Sequence, residues 1–448
     1  MDKQTIKEKV FRPIIDNGFQ CYFVGGCVRD QLLKKEPKDF DLVTDATPRY
    51  LHKIFSCFID KNSEQYGITV ISIDQEPIEI ATLRTENLYE DYRHPTRVNF
   101  TWDIKEDAIR RDFTINALYE DTAGNIFDPT GLGLSDLKHK ILRFIGNLED
   151  RLQEDHLRTL RYCRFISQLG FTTNQSFFVE RDFLDNISNE RIGEELRKLF
   201  GGNSVVRGII TGCETGVFNT SKIDLSEIIG RMQLEKQRPD YHYGDVWLHT
   251  QMALEKLQEV EHDWIDMMSV FFHDVGKPIA GVRNGRVSGA LDYNNHVGHE
   301  KDSAQFFKDW VNSRPGLMSN KDRDIIYELI LNHSRVGRIG EIRDKYKLFE
   351  IVSNPLFSRM TRLSLADRLA HKKTLPYPFD EALQSPDVIE MCKRVNEPKK
   401  VTGNDLIKNG VKPGPLFKKM LHVAFKTQIK FPELTKEKLL QTALSVKE

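Results

Sequence analysis

The spacing of apolar residues changes about a third of the way along the chain. Up to about residue 145, short apolar runs (CYFVGG, FDLVT, ITVISI and IEIATL) alternate with amphipathic stretches such as VRDQLLKK and KEDAIRRDF. That alternation predicts a compact α/β domain. From Leu148 onward apolar residues recur at helical spacing, in HLRTLRYCRFISQL, ELRKLF, VWLHTQMALEKL, IIYELILNH and PLFKKMLHVAF. The remaining two-thirds is therefore expected to be almost all helix, and the fold class α+β. Clusters of Gly, Pro and Asn at GGNS (201–204), QRPDYHYGD (237–245) and QSPDV (384–388) punctuate the helical part. The expected domains are 1–147, 148–238, 239–384 and 385–448.

Composition narrows the class. A chain of 448 residues has room for roughly three domains of about 150 residues each. It is 39% hydrophobic, and no apolar stretch approaches the ~18 residues of a membrane span, so a soluble protein is expected. The start, MDKQTIKEKVFRPII, has no long apolar core, and the six cysteines show no C-x-x-C spacing, which predicts a reducing cytoplasm. The formal net charge is −1, yet Lys399 to Glu448 holds eleven lysines against four acids. Such a basic tail suits a polyanion held at one end, and a solvated Lys-rich face fits the charge equally well.

Candidate chemistry begins at CYFVGGCVRD, where Gly25 and Gly26 lie between a strand and a helix. Glycine lets a backbone approach a ligand closely, and Arg29 adds a charge for phosphate. Ten residues on, the strand KDFDLVT would point Asp39 and Asp41 to one face. Paired carboxylates repel unless a divalent cation relieves them, and hard oxygen ligands suit Mg²⁺ carrying a nucleoside triphosphate. Glu79, in IEIATLR, is a candidate third acid or a plain edge residue. In RRDFTINAL, Arg110 and Arg111 offer phosphate contacts, while Asp112 and Asn116 could address a ribose hydroxyl. EDHLRTLRYCRF reads as one helix with Asp155, Arg158 and Arg161 on a face. A carboxylate beside a guanidinium matches the acceptor and donor edge of cytosine and adenine, and mismatches uracil and guanine by about 1–3 kcal/mol per unpaired group. A D-x-x-R pair is also a common intrahelical ion pair.

GGCVRD, DFDLVTDATP, RRDFTINAL, FDPTGLGLSDL, EDHLRTLRYCRF and ERIGEELRKLF stand in the order found in the class II tRNA nucleotidyltransferase and bacterial poly(A) polymerase family, which this stretch of roughly 200 residues resembles. The resemblance implies Asp39 and Asp41 as catalytic ligands of Mg²⁺, Gly25, Gly26 and Arg29 as phosphate contacts, and Arg111 and Asp112 as ribose and phosphate contacts. It implies Asp155 and Arg158 as the nucleobase selector, supplemented by Arg161 and Arg164 and supported by Arg191 and Glu194. TLRTENLYEDYRHPTRVNF resembles the flexible loop that members need to switch from C to A and that CC-adding members lack. CFIDKNSEQYGITVISID lacks the basic RFR-containing stretch of poly(A) polymerases and has YGITV where the usual run ends G-T-V. The basic tail VTGNDLIKNGVKPGPLFKKMLHVAF resembles that of long CCA-adding enzymes and suits gripping tRNA.

A second constellation centres on FFHDVGKP, with His273 and Asp274, and is joined by His249, His296, His299, His333 and Asp367 from other predicted helices. Imidazoles and carboxylates from separate helices suit a divalent transition metal such as Mn²⁺ or Ni²⁺. The set resembles an HD phosphohydrolase domain: His249, His273, Asp274 and Asp367 match its H…HD…D pattern, and His299 and His333 match further histidines. His296 has no such match. The expected chemistry is phosphoester hydrolysis by metal-activated water, and the resemblance implies 2′,3′-cyclic phosphodiesterase or phosphatase activity. The function expected is stepwise addition of C, C and A to tRNA from CTP and ATP, away from any membrane. An A-adding enzyme, a poly(A) polymerase, and a non-catalytic RNA-binding head joined to an HD nucleotide hydrolase are the alternatives.

Overall fold

The four apolar runs of the first third all form strands: β1 (Cys21–Val24), β2 (Leu42–Thr44), β3 (Ile68–Ile73) and β4 (Glu76–Thr82). The structure is a computed structural model that describes residues 2–37, 39–56, 65–89, 95–285, 293–372 and 379–446. After a two-stranded antiparallel ribbon, β5 (Arg84–Tyr89) with β6 (Pro95–Phe100), two short strands follow, β7 (Tyr119–Glu120) and β8 (Ile126–Phe127). The main sheet has the order β3-β4-β2-β1-β7-β8. Its pairs are antiparallel except β2 with β4. Along β4, Ile78, Ile80 and Thr82 are buried while Glu79 faces solvent, the period-two alternation of a half-covered sheet. The inner strands β1 and β2 are almost wholly buried and deliver Val24 and Val43 to a core with Leu83, Ala108, Ala117, Tyr119 and Ile145.

The segment TLRTENLYEDYRHPTRVNF, expected as a loop, carries the β5/β6 ribbon, and its residues 90–94 lie outside the described residues. Charged side chains mask its alternation in the sequence, so ladder pairing rather than an apolar pattern defines it.

All described strands end by Phe127, and helices follow. Within the first of two contact units, Met1–Glu227, the Leu157–Leu169 helix packs between the Asn189–Phe200 and Val205–Glu214 helices. An aromatic cluster binds it to the sheet domain: Phe113 lies 4.7 Å from Phe144, which stacks on Tyr162 at 5.4 Å.

The second unit, Ile228–Glu448, is helical. Asp245 caps the Val246–Leu257 helix by accepting from Leu248 N at 2.8 Å. A capping box of Asp263 and Asp266 starts the Trp264–Phe272 helix, whose residues 265–272 are all buried. Phe272 packs on Phe307 and Trp310 with ring centres 5.0 and 5.2 Å away. Towards the chain end, Ile429 joins a core with Tyr346, Phe349, Val388 and Met391, while Lys412, Lys418 and Lys426 remain exposed. No helix among the described residues is long and apolar enough to cross a membrane. The cysteines at 21, 27, 163, 213 and 392 are free thiols, and Cys57 lies outside the described residues.

Candidate active sites

β1 ends at Val24, and the chain turns at Gly25 with φ +74°, a conformation that side chains with a Cβ seldom adopt. Gly26 begins a helix that runs to Leu32. A Cβ at Gly25 would stand 3.5 Å from Asp41 Oδ2, and one at Gly26 would stand 3.9 Å away. The bare glycine backbone thus forms a recess in front of that carboxylate. β2 starts only at Leu42, so Asp39, at a bend, and Asp41 lie in the irregular segment before the strand rather than in it. Both are exposed, and Phe40 between them packs on Phe23 with ring centres 5.6 Å apart. The protein ringing Asp41 raises its carboxyl; Arg111 opposes the rise, the Asp39 charge adds to it, and Arg29 opposes it again. β2 and β4 pair in parallel with Leu42 beside Ile80, so the next pair out sets Asp41 beside the exposed Glu79. Among the described residues, these acids are not brought within 4.8 Å of one another as a group of three.

The Ile104–Ile109 helix ends where RRDFTINAL begins. Asp107, fully buried, accepts from Arg110 Nε at 2.8 Å, Arg111 Nε at 3.0 Å and Tyr119 OH at 2.7 Å. Burial alone would raise its carboxyl; Arg111 and Arg110 hold it far below the usual range instead. Asp112 is likewise buried and held low, chiefly by Arg161 against the desolvation. Its Oδ1 accepts from Asn116 Nδ2 at 3.1 Å, and Asn116 Oδ1 accepts from Arg29 at 2.7 Å. Arg29, Asp112, Asn116 and Arg161 thus form one chain of contacts. Arg164 lies 4.0 Å over the Phe165 ring and pairs with Glu195 at 2.9 Å; burial lowers its guanidinium to about 10.

EDHLRTLRYCRF is not one unbroken helix: it holds the last residue of one, a break at Asp155 and His156, and then the helix that carries Arg158 and Arg161. The first, Leu148–Glu154, stops at Asp155, which is extended, and the second starts at Leu157. Asp155 Oδ1 accepts from Leu157 N at 3.1 Å, and its Oδ2 lies 3.9 Å from Arg191. Arg158 turns away from it, donating to Glu154 at 2.6 Å and to the carbonyls of Arg151 at 2.8 Å and Arg110 at 3.2 Å. Arg151 donates to the carbonyls of Arg110 and Arg111 at 2.6 and 2.8 Å. These two arginines tie the chain on either side of the break to the Arg110 and Arg111 carbonyls far earlier in the sequence. Glu194 is exposed, and its neighbour Glu195 is the buried acid beside Arg164.

In the second unit, His249, His273, Asp274 and Asp367 each bring a ligand atom within 4.8 Å of the others, and Asp274, His299 and His333 form another such group. Asp274 serves both through different oxygens: Oδ2 lies 3.2 Å from His273 Nε2 and 3.5 Å from His249 Nε2, and Oδ1 lies 3.1 Å from His299 Nε2. His273, His299 and His333 engage backbone carbonyls through Nδ1 at 2.6, 2.9 and 2.6 Å. A carbonyl accepts, so each Nδ1 carries the proton and the neutral ring leaves an Nε2 lone pair for the cluster. His299 and His333 direct Nε2 at each other 3.2 Å apart, while His273 Nε2 is buried without a hydrogen-bond partner. That donor set fits a divalent transition cation. Without one, desolvation of His273 is overcome by Asp274 and Asp367, which raise it to about 10. Burial and the charges of His273 and His299 drop His333 to about 4. Lys277 lies 2.6 Å from Asp274 and donates to Gln237 at 2.7 Å. A cavity of about 410 Å³ opens on the cluster, lined by Lys277, Arg338, Arg368 and His371 among others. His296 lies outside the cluster, bound to Glu235 at 2.7 Å.

Residues 21–143 match the Poly A polymerase head domain. The CCA-adding enzyme of Oceanobacillus iheyensis is 44% identical over 204 residues, 45% of this chain and 50% of that protein. The CCA-adding enzyme of Bacillus subtilis is 39% identical over 223 residues, 49% of this chain and 56% of that protein. The chain spans about half the length of the curated relatives it matches. Two solved structures share the fold along nearly the whole chain. A Bacillus stearothermophilus CCA-adding enzyme in complex with CTP has a TM-score of 0.62 at 24% identity, covering 98% of this chain and 95% of that one. A Thermotoga maritima CCA-adding enzyme complexed with tRNA has a TM-score of 0.56 at 17% identity, covering 99% and 96%.

Sequence reasoning passed over Asp107, Arg151, Glu154 and Glu195. Asp107 carried a signal, its spacing of three and four residues from Arg110 and Arg111 on a helix. Glu154 carried the same signal towards Arg151 and Arg158, whereas Glu195 and the carbonyl contacts of Arg151 carried none, because those partners are distant in sequence.

Proposed function

We propose that the first unit transfers CMP, CMP and AMP from CTP and ATP to the 3′ end of tRNA. The observation that carries this reading is the recess at Gly25 and Gly26 before Asp41, within a segment that matches the Poly A polymerase head domain. Asp39 and Asp41 would hold Mg²⁺, with Glu79 at the adjacent register position. When bound, the ion supplies charge neutralisation at the α-phosphate and a more acidic 3′-hydroxyl. Arg111, oriented by Asp107 with its guanidinium near the recess, meets the triphosphate, and Asp112 and Asn116 fix the ribose. Asp155 and Arg158 choose the base once Arg158 exchanges its internal acceptors for the base edge. The domains 1–147, 148–238, 239–384 and 385–448 act as head, neck, HD domain and basic tRNA-holding tail, in the cytoplasm.

The cluster in the second unit supports a metal-dependent phosphohydrolase, with 2′,3′-cyclic phosphodiesterase or phosphatase activity. His249, His273, Asp274, His299, His333 and Asp367 would hold Mn²⁺ or Ni²⁺, which supplies Lewis acidity towards a phosphoester. Lys277 and Arg338 face the same cavity and bind phosphate oxygens.

The deciding assay offers purified protein tRNAs ending before CCA, after C and after CC, with each triphosphate separately. Addition of C, C and A in turn is expected. Addition of A alone, to CC ends, would make this an A-adding enzyme, and long A tails on generic RNA a poly(A) polymerase. Incorporation that survived Asp39→Ala with Asp41→Ala would end the assignment of the head.

A further inference from the structure

Three imidazoles stand together beside the HD cluster, and two of them, His242 and His371, belong to no part of its pattern. The ring centres of His242 and His371 are 4.5 Å apart, and they lie 5.0 and 4.9 Å from His249. Each residue brings a ring nitrogen within 4.8 Å of the other two. His249 is almost wholly buried, and its Nε2 meets Asp367 at 2.9 Å. Its Nδ1 has no hydrogen-bond partner, unlike the Nδ1 atoms of His273, His299 and His333, which backbone carbonyls hold. His242 Nδ1 is buried and equally without a partner. His371 donates Nδ1–H to the Asp367 carbonyl at 2.8 Å, so its Nε2 carries a lone pair.

The arrangement is pinned by the backbone. His242 N donates to Arg238 O at 3.0 Å, closing the turn that carries it. Lys372 N, immediately after His371, donates to Tyr241 O, immediately before His242, at 2.7 Å. Two buried nitrogens without partners in a pinned corner are costly unless something accepts their lone pairs. The nearby ammonium of Lys277 is neutralised by Asp274 at 2.6 Å.

We propose that His242, His249 and His371 form a further metal position for a borderline transition cation such as Zn²⁺, Co²⁺ or Ni²⁺. All-imidazole ligation disfavours Mg²⁺ and Ca²⁺, which take oxygen donors. Metal–nitrogen bonds of about 2.0–2.1 Å need the ring nitrogens to close to roughly 3.3 Å, a small rotation from separations within 4.8 Å. His371 lines the substrate cavity while His242 and His249 do not, so the position lies in the cavity wall and leaves a coordination site on the His371 side. The position shares His249 with the HD cluster but does not require that cluster to bind metal; when both are filled, His249 gives up its N–H proton to solvent and bridges as imidazolate, Nε2 towards the cluster and Nδ1 towards this position.

Cobalt(II) is the probe, added to the full-length protein and counted by elemental analysis after removal of excess ion. His242→Ala and His371→Ala are each expected to lose one equivalent relative to the parent, whereas Asp274→Asn loses cobalt from the HD cluster and keeps that equivalent. Parent equivalents retained in both histidine variants would overturn the proposal, and so would an Asp274→Asn protein that binds none. If Asp274→Asn lost nothing while the histidine variants lost one, the HD reading would fail and this one would stand. The ligand-field spectrum of cobalt-loaded Asp274→Asn gives an answer without touching the trio: intense low-coordinate bands support it, and weak six-coordinate bands refute it.

Discussion

Asp107 shows how one buried carboxylate can govern residues that do chemistry. It receives Arg110, Arg111 and Tyr119, and removing it would leave two neighbouring guanidiniums facing each other in a buried place. Asp107→Ala is expected to cost about 3–5 kcal/mol of stability, measured by denaturant unfolding. Asp107→Asn, which keeps the shape, should raise KM for the triphosphates more than it lowers kcat, since Arg111 is left misaligned rather than absent. An unchanged KM would show that Arg111 needs no such positioning. Asp112 gives a pH signature. Its folded carboxyl lies well below the ordinary value of about 3.9, so its contribution is fully present above that value and is lost as pH falls below it. The stability gap between the protein and Asp112→Asn should be flat near neutrality and shrink below about pH 4. A gap that widened on acidification would contradict the pairing. The sequence suggested Asp112, Asn116 and Arg161 as separate contacts; only the fold shows that they bond to one another.

Among the elements, the Leu157–Leu169 helix is set by how closely its neighbours approach. A Cβ at Gly208 would lie 2.6 Å from Ser167 Cβ and 3.0 Å from the Cys163 carbonyl, so no side chain fits between the helices. Gly208→Ala should destabilise the first unit by about 1–3 kcal/mol, read as a shifted urea midpoint, and should blur selection between C and A if that helix carries the selector. Strands β1 to β4 and the main helices were legible because their apolar periods are undisturbed. The ribbon of β5 and β6 was not, since charges hide its alternation. Nor was the break at Asp155, because a run such as LEDRLQEDHLRTLRYCRF favours helix throughout, and the contacts that accompany the break, from Arg151 and Arg158 to the Arg110 and Arg111 carbonyls, are distant in sequence.

On the scale of the molecule, two units each carry a candidate site built from their own residues. Asp39→Ala with Asp41→Ala should therefore abolish nucleotide incorporation and leave phosphohydrolase turnover intact. Asp274→Asn should do the reverse, and stripping transition metal with a chelator followed by Mg²⁺ should restore only incorporation. Loss of both activities from either change would mean that the sites do not act separately. By itself the sequence determined the α+β division, the glycine turn before the acidic segment, and the residue types of the His/Asp cluster in the second unit, because these depend on local periodicity and on motifs a few residues long. Tertiary structure alone decided that Arg158 faces Glu154 instead of Asp155, that Glu195 and not Glu194 is buried, that His296 stands apart, and that His242 and His371 join His249. Each of these depends on the rotation of one helix or the approach of a segment far along the chain, where about 100° of turn per residue separates a buried partner from an exposed neighbour.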